Sequence, residues 1–159
     1  MYGSRGDIMG FWDSLKQTTG NMSANLQGQL SKYKNSAFAD ASMATCALIA
    51  AADGSIDPEE RRKTAKFIMN SDMLKAFDVS QLKTKFDAYC NKVEDDYDFG
   101  KIDLLQTIGK VKRDPDQARA VVQVGIIVGG ADGNFDDDEK KAVREICNTL
   151  GIAPSEYDL

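Results

Sequence analysis

Carboxylates are concentrated in three short segments of this 159-residue chain. Residues 53–60 contain four, residues 94–98 contain four and residues 132–139 contain five, and none of these segments contains a lysine or arginine. They hold 13 of the 25 acidic residues, so the rest of the chain sets 20 basic residues against 12 acidic ones, a charge of +8. Because like charges at close range repel, such clusters are typical either of a solvated acidic surface or of a cation-binding site.

Two of these segments belong to an internal repeat with an offset of 79 residues. Residues 52–62 align with residues 131–141 in the pattern A-D-G-x-apolar-D-x-x-E followed by two bases. An apolar stretch precedes each copy, and a helical periodicity follows it. The pattern indicates a duplicated helix–turn–helix unit, and two such units are expected to pack face to face.

Helix punctuation explains much of the repeat. The glycine of each copy suits the left-handed position just past a helix end. The second aspartate suits the N-cap of the next helix, and the glutamate three residues later completes a capping box. These residues are Gly54, Asp57 and Glu60 in the first copy, and Gly133, Asp136 and Glu139 in the second.

The first aspartate of each copy, Asp53 or Asp132, is not explained in this way. Each is predicted at the C-terminal end of a helix, where the helix dipole disfavours a carboxylate. The next base, Arg61 or Lys140, comes only after the whole acidic turn. A bound cation would offset this cost, so a structural turn and a metal site are equal alternatives on the residues alone.

The ion that such a site would take is a hard one, because all the ligands are oxygens: Ca²⁺, Mg²⁺ or Mn²⁺. The site would not be an EF-hand. Counted from Asp132, the sixth loop position is Asp137 rather than glycine, and the twelfth is Val143 rather than glutamate. Each turn alone is too weak, so we expect the two turns to pool their carboxylates at one shared end of the molecule.

Other chemistries are limited by composition. The chain has no histidine, which excludes histidine zinc ligands and Ser-His-Asp or Cys-His catalysis. Cys46, Cys90 and Cys147 fit no CxxC pattern and lie in apolar helical patterns, so we expect buried thiols in a reducing cytosol. No apolar run reaches the ~20 residues of a membrane-spanning helix, and no secretory signal opens the chain. The sequence pI of 4.8 disfavours nucleic-acid binding.

The elements that position these residues are all predicted to be helices. The fold class is all-α, a compact domain of about seven to eight helices built from two pseudo-symmetric helix–turn–helix halves. Residues 118–131 would pass for a buried strand, but their repeat partner is plainly helical. Small residues at 50–51 and 129–130 would let the two helices approach closely. Helices are predicted over 38–52, 58–70, 81–93, 100–112, 118–131 and 137–150, with short turns after 72 and 154.

Between the copies, two helices flank the third acidic segment. Ser80 is predicted to cap the first of them, and the segment 94–98 to break the chain before the second. Leu82, Phe86, Tyr89, Cys90 and Val93 are expected on the buried face of the first helix. Ile102, Leu105, Ile108 and Val111 are expected on that of the second.

The domain organisation expected is a start, an arm and one domain. Residues 1–8 are interpreted as a cloning remnant or a disordered start, and residues 9–36 as an amphipathic arm. Within that arm, Phe11 and Trp12 beside Lys16 favour packing on a partner or the core over contact with lipid. Residues 37–159 are expected to form a single helical domain, with the repeat at about 42–70 and 121–150.

The second copy, V-G-I-I-V-G-G-A-D-G-N-F-D-D-D-E-K-K-A-V-R-E-I, resembles TerB of the bacterial tellurite-resistance gene clusters. The match runs from Asp132 through Lys140 to Ile146. The first copy, I-A-A-A-D-G-S-I-D-P-E-E, also resembles that family's first acidic turn. The opening G-F-W-D-S-L-K and the closing G-I-A-P-S-E-Y-D-L fit its start and end, so the resemblance covers nearly everything from Met9 to Leu159.

The resemblance implies an all-helical, duplicated cytoplasmic protein with an acidic face that binds a divalent cation, Ca²⁺ first and Mg²⁺ or Mn²⁺ as alternatives. It implies a part in resistance to tellurite and in stress responses. The partners implied are a TerC-like membrane protein and TerD-like proteins, with a monomer in at most peripheral contact with the inner face of the membrane. By position, the metal candidates are Asp53, Asp57, Glu60, Asp132, Asp136 and Glu139, with Asn134 and Asp138 as further ligands.

Three functions are therefore weighed. The leading one is a non-enzymatic, metal-linked interaction module of the tellurite-resistance system. In the second, the cysteines reduce or sequester tellurite, although the acidic surface would repel that anion. In the third, a metal-dependent hydrolase, paired carboxylates would need a deep pocket beside the acidic turns.

Overall fold

The computed structural model describes residues 25–131 and 135–159, and every regular element in those residues is a helix. The all-α prediction is confirmed. Two predicted features, the start over residues 1–8 and the aromatic pair at 11–12, lie outside the described residues. The elements are α1 (25–30), α2 (Ser36–Ala50), α3 (Pro58–Asn70), α4 (Val79–Asp95), α5 (Tyr97–Gly109), α6 (Pro115–Gly129) and α7 (Asp137–Leu150), with short 3₁₀ turns at Asp72–Leu74 and Pro154–Tyr157.

Asparagine or aspartate side chains start the helices α2 to α7 by accepting hydrogen bonds from first-turn N–H groups. The predicted caps Asp57 and Asp136 are confirmed, and Asp114 caps α6. Ser80 is not a cap, because Asp78 accepts from the N–H groups of Ser80 and Gln81 and starts α4 two residues earlier than predicted. The full set is Asn35, Asp57, Asp78, Asp96, Asp114 and Asp136.

Helix α2 is central, with 11 of its 15 residues buried, and it packs against α4, α5 and α6. Glycines on α6 allow that helix to approach α2 closely. A Cβ atom at Gly125 would lie 2.4 Å from Thr45 Cγ2, and one at Gly129 would lie 2.7 Å from Ile49 Cγ2. The predicted close approach near residue 129 is confirmed, and it brings the C-terminal ends of α2 and α6 together.

The break between α4 and α5 falls within the acidic segment 94–98, as predicted, but it is shorter than the segment. Helix α4 continues to Asp95, and a single residue, Asp96, precedes α5. Asp96 accepts from the N–H of Phe99 at 3.1 Å and so caps α5 directly. Gly100 lies against α4, where a Cβ atom would be 2.8 Å from the Lys92 carbonyl oxygen. This contact requires glycine and sets the rotation of α5.

The predicted buried face of α5 is confirmed in part. Ile108 and Val111 are buried as predicted, whereas Ile102 is 52% exposed and Leu105 is half-buried. Leu104 and Ile108 are fully buried on the same side as Gly100. A three-residue spacing fits more than one side of a helix with 3.6 residues per turn, and the contact of Gly100 with α4 selects the side.

Candidate metal centre

The two acidic turns meet in one cleft. It has a volume of about 240 Å³, and residues from both copies of the repeat line it. The paired C-terminal ends of α2 and α6 place the turns side by side. Of the predicted metal residues, Asp132 and Asn134 lie outside the described part of the chain. The other six all line the cleft: Asp53, Asp57, Glu60, Asp136, Asp138 and Glu139.

Asp53 has a local structural role that the sequence reasoning did not assign. Its Oδ1 accepts from the N–H of Ser55 at 3.1 Å and from the Ser55 hydroxyl at 3.3 Å, as in an Asx turn. It also lies three residues beyond the last residue of α2, and the dipole effect falls off within the last turn. The dipole of α2 therefore disfavours the Asp53 carboxylate less than expected. Ser55 itself lines the cleft and was missed, although a serine two residues after an aspartate is a known turn signal.

The first turn caps its helix without a capping box. Asp57 Oδ1 accepts from the Glu59 N–H at 2.8 Å and from the Glu60 N–H at 3.4 Å. A capping box is centred on the third helical residue, so this shorter bond to the second residue departs from it. The side chain of Glu60 makes no hydrogen bond or ion pair with another described residue, and it lines the cleft. The predicted box in the first copy is therefore wrong.

The second turn does form the box. Asp136 Oδ1 accepts from the Glu139 N–H at 2.8 Å, and Glu139 Oε1 accepts from the Asp136 N–H at 2.8 Å. The side chain of Asp138 lines the cleft and makes no hydrogen bond or ion pair with another described residue. The second copy thus ties down the glutamate that the first copy leaves free.

The basic residues that follow the first turn do not neutralise the cleft. Arg61 extends to α4, where it donates to the Asp87 carbonyl oxygen at 3.1 Å and forms an ion pair with Glu94. Arg62 pairs with Glu59, which is not among the residues that line the cleft. Since these two charges are engaged elsewhere, neither of them offsets the negative charge of the cleft.

The fit to a metal ion is one of chemistry rather than of a preformed cage. In residues 25–131 and 135–159, no group of three or more acidic or cysteine side chains is arranged to hold a metal. The bonds of Asp53, Asp57 and Asp136 all go to Oδ1, and a carboxylate offers about four lone-pair sites. The donor set therefore suits a hard cation, provided that side chains move toward it.

All three cysteines are free and buried, as predicted. Burial raises the pKa of Cys46 well above its usual range, that of Cys90 to about 12 and that of Cys147 to about 11. Burial outweighs the charge of Arg61, which acts on Cys90 to lower its pKa. Since the thiolate is the reactive form, these thiols are poorly suited to attack tellurite at neutral pH.

The cleft is also smaller than the pocket that a hydrolase would need. Small-molecule sites usually have volumes of roughly 300–1,000 Å³. The cleft is below that range, at about 240 Å³, and its apolar lining is limited to Ile49, Ala50 and Ala52. The arrangement therefore favours an ion over an organic substrate.

Together, the fold and the cleft define an internally duplicated helical protein whose repeated acidic turns face each other. The family model described as "Tellurite resistance protein TerB" matches residues 39–159. A tellurium resistance protein TerB from Alcaligenes sp. is 30% identical over 118 residues, which cover 74% of this chain and 97% of that protein. No solved structure matches the chain significantly. The chain belongs to the TerB family of tellurite-resistance proteins, which confirms the resemblance.

Within the part of the chain that the structure describes, no helix is both long enough and apolar enough to cross a bilayer.

Proposed function

We propose that this chain is a non-enzymatic interaction module of tellurite resistance that binds a divalent cation, Ca²⁺ first, between its two acidic turns. Family membership supplies the link to tellurite resistance. The observation that carries the ion is the common cleft, because carboxylates 79 residues apart in the sequence line the same 240 Å³ space. Asp132 and Asn134, which precede Asp136 in the sequence, are proposed as further ligands.

The carboxylates have two different roles in this proposal. Asp53, Asp57 and Asp136 are held by their turn bonds and offer their second oxygens from fixed positions. Glu60 and Asp138 have no such bonds to described residues, so they can move toward an ion without breaking a cap. The ion would relieve the repulsion in the cleft and change the charge of this end of the molecule by +2.

That change in charge is the proposed link to partners. A TerC-like membrane protein or TerD-like proteins would meet the module in the cytoplasm, at the inner face of the membrane, and distinguish its ion-bound and ion-free surfaces. Binding partners are sensitive to such changes because electrostatic complementarity governs specificity and association rate.

A titration of the full chain tests the ion. Amide NMR spectra are recorded with Ca²⁺ and Mg²⁺ to millimolar concentration, and thermal unfolding is followed in parallel. We expect shifts centred on residues 53–60 and 135–139, and a stabilisation of about 2.7 kcal/mol at a hundredfold excess of ion over Kd. The double variant Glu60→Gln/Asp138→Asn should lose most of that response.

The matched control is Asp78→Asn, which keeps an N-cap but lies outside the cleft. It should respond to the ion like the wild type. No response to either ion, or shifts centred elsewhere, would overturn the proposal.

The alternative based on thiols has its own test. A Cys46→Ala/Cys90→Ala/Cys147→Ala variant that folds should keep its resistance to tellurite in cells, because the thiols are buried and protonated. Loss of resistance at normal protein levels would instead favour thiol chemistry.

A further inference from the structure

The outward face of α5 exposes two large apolar side chains next to each other. Phe99 is 72% exposed and Ile102 is 52% exposed. Residues three apart on a helix are neighbours, so the two form one patch. Among the described residues, Met69 on α3 is the other exposed large hydrophobic, at 37%. Single exposed apolar residues are ordinary, but an adjacent pair on one helix face indicates an interaction surface.

The patch cannot be buried by turning α5 within this fold. Gly100 packs directly against α4, where an added Cβ atom would lie only 2.8 Å from the Lys92 carbonyl oxygen. Leu104 and Ile108 are buried in the core on the same side of α5. Phe99 and Ile102 lie on the other side of the helix. Their exposure is therefore fixed by the packing that positions α5.

Acidic side chains flank the patch on both sides. At about 100° per residue, Asp98 lies about 40° from Ile102, and Asp103 lies about 40° from Phe99 on the opposite side. Glu94 and Asp95 end α4 at the same corner. Two of these acids are already in ion pairs, Asp103 with Lys92 at 3.4 Å and Glu94 with Arg61, and Lys101 pairs with Glu145 at 2.8 Å. Asp95 and Asp98 are the acids here that have no ion pair with a described residue.

A cavity opens at the same corner. Its volume is about 290 Å³, and its walls include the apolar side chains of Ile56, Val93 and Tyr97, with Glu94 at the α4 end. Gly54 and Ser55 line it as well, so the cavity has mixed polar and apolar walls. The preference for an apolar group accompanied by positive charge therefore comes from the exposed patch and its acids.

We propose that the α5 surface (Phe99 and Ile102 with Asp95 and Asp98) docks a basic amphipathic helix of a partner protein. The apolar side of that helix covers the patch, and its lysines or arginines face the acids. A second copy of this chain would bring the same acids against each other, and an anionic bilayer would repel them. This inference rests on the proposed function, since it assigns a surface and a partner chemistry to the interaction module.

The test uses the full chain and a synthetic probe. A fluorescent Lys/Leu amphipathic helix of about 18 residues is titrated with the protein, and binding is read by anisotropy and by amide NMR. We expect shifts centred on residues 94–106. Phe99→Ser/Ile102→Ser should weaken binding about tenfold or more, as the loss of apolar anchors does. Met69→Ser, the matched control, should bind like the wild type.

The charges are tested in the same way. Asp95→Asn/Asp98→Asn should weaken binding several-fold and reduce its dependence on salt, whereas Asp116→Asn, on the first turn of α6, should do neither. A matched Glu/Leu peptide should not bind.

Four results would overturn the inference. They are wild-type affinity in Phe99→Ser/Ile102→Ser, equal binding of the Glu/Leu peptide, shifts confined to the acidic cleft, and binding to phosphatidylglycerol vesicles without binding to the peptide.

Failure of this inference is distinguishable from failure of the ion site. Phe99→Ser/Ile102→Ser should keep the Ca²⁺ response, and Glu60→Gln/Asp138→Asn should keep peptide binding. A protein that binds the peptide at α5 but no ion would overturn the proposed function alone.

Discussion

The two acidic turns share a sequence pattern but use their carboxylates differently. In the first turn, Glu59 pairs with Arg62, and Glu60 has no bond to another described residue. In the second, Glu139 closes the capping box, and Asp138, at the position equivalent to Glu59, has no such bond. Each copy therefore keeps one uncommitted carboxylate, but at a different helical position.

The difference shows how one motif serves two purposes. In each copy, one acidic side chain of the first helical turn is held by a capping bond or an ion pair. The acid next to it in the sequence is then available to the cleft. Arg62 has a lysine counterpart at 141, but Lys141 forms no ion pair with Asp138, so the local ion pair of the first copy is not repeated in the second. Sequence symmetry thus gives an asymmetric set of uncommitted carboxylates.

The largest effect is expected where the copies contact each other. Gly125 on α6 corresponds to Cys46 on α2, and a Cβ atom there would be 2.4 Å from Thr45 Cγ2. Gly125→Ala should lower the free energy of unfolding by about 1–3 kcal/mol because the helices must separate. The measurement is denaturant unfolding.

The control for this overpacking is Gly109→Ala. A Cβ atom at that helical position would lie at an ordinary 3.8 Å from Thr149 Cγ2. It should be neutral or raise stability by about 0.5–1 kcal/mol. Equal stability of the two variants would contradict close packing at Gly125.

The next effect separates the two caps. Asp57→Ala removes the acceptor of two N–H groups, those of Glu59 and Glu60. Asp136→Ala removes the acceptor of the Glu139 N–H but keeps the bond from the backbone N–H of residue 136 to the Glu139 side chain. Losing an N-cap costs about 1 kcal/mol, so both variants should lose stability, and Asp57→Ala should lose more. Thermal unfolding of both variants measures the difference. A larger loss in Asp136→Ala would show that the reciprocal box is the stronger cap.

Ion affinity provides a finer comparison. Glutamine keeps a capping box, so Glu139→Gln should retain both stability and most of the Ca²⁺ affinity. Glu60→Gln should weaken Ca²⁺ binding several-fold more, because Glu60 is the uncommitted glutamate. Calorimetric titration gives the Kd of each variant for Ca²⁺. Equal losses of affinity would contradict separate roles for Glu60 and Glu139.

The smallest effect concerns equivalent surface ion pairs. Asp40 on α2 pairs with Lys85 at 2.7 Å, and Arg119, at the equivalent position of α6, pairs with Glu156 at 2.9 Å. The hydrogen bond from Arg119 holds the pKa of Glu156 below its ordinary value. This pair therefore stabilises the fold above the unfolded-state pKa, and the contribution is lost as pH falls through the folded-state pKa.

Glu156→Gln should accordingly be slightly less stable than the wild type at pH 7 and indistinguishable from it in strong acid. Stability curves at several pH values measure this. If the stability difference between Glu156→Gln and the wild type instead grew as the pH fell, the expected pH dependence of this ion pair would be contradicted.

Local signals were sufficient for much of the fold. Asp57–Pro58 and Asp136 with Gly151 mark helix ends by side-chain capping and a left-handed glycine, and the predicted bounds 58–70 and 137–150 match α3 and α7. The strand-like segment before residue 131 was assigned correctly because its repeat partner is helical.

Long-range contacts were not accessible in the same way. The buried face of α5 depends on Gly100 meeting a carbonyl of α4, which no spacing within α5 encodes. At the site, duplication predicted the meeting of the two turns, whereas the Ser55 bonds to Asp53 and the free state of Glu60 depend on side-chain geometry. The assignment of Asp132 and Asn134 as ligands stays a prediction.

The central position of α2 has a consequence for how such a chain could arise. Its buried surface is covered partly by α4 and α5 and partly by α6, which belongs to the other copy. A lone ancestral unit would leave that side of its first helix bare to water. It would have needed to associate as a symmetric pair, with each protomer contributing half of the acidic site, and gene fusion would then have made the pairing permanent and freed the halves to diverge.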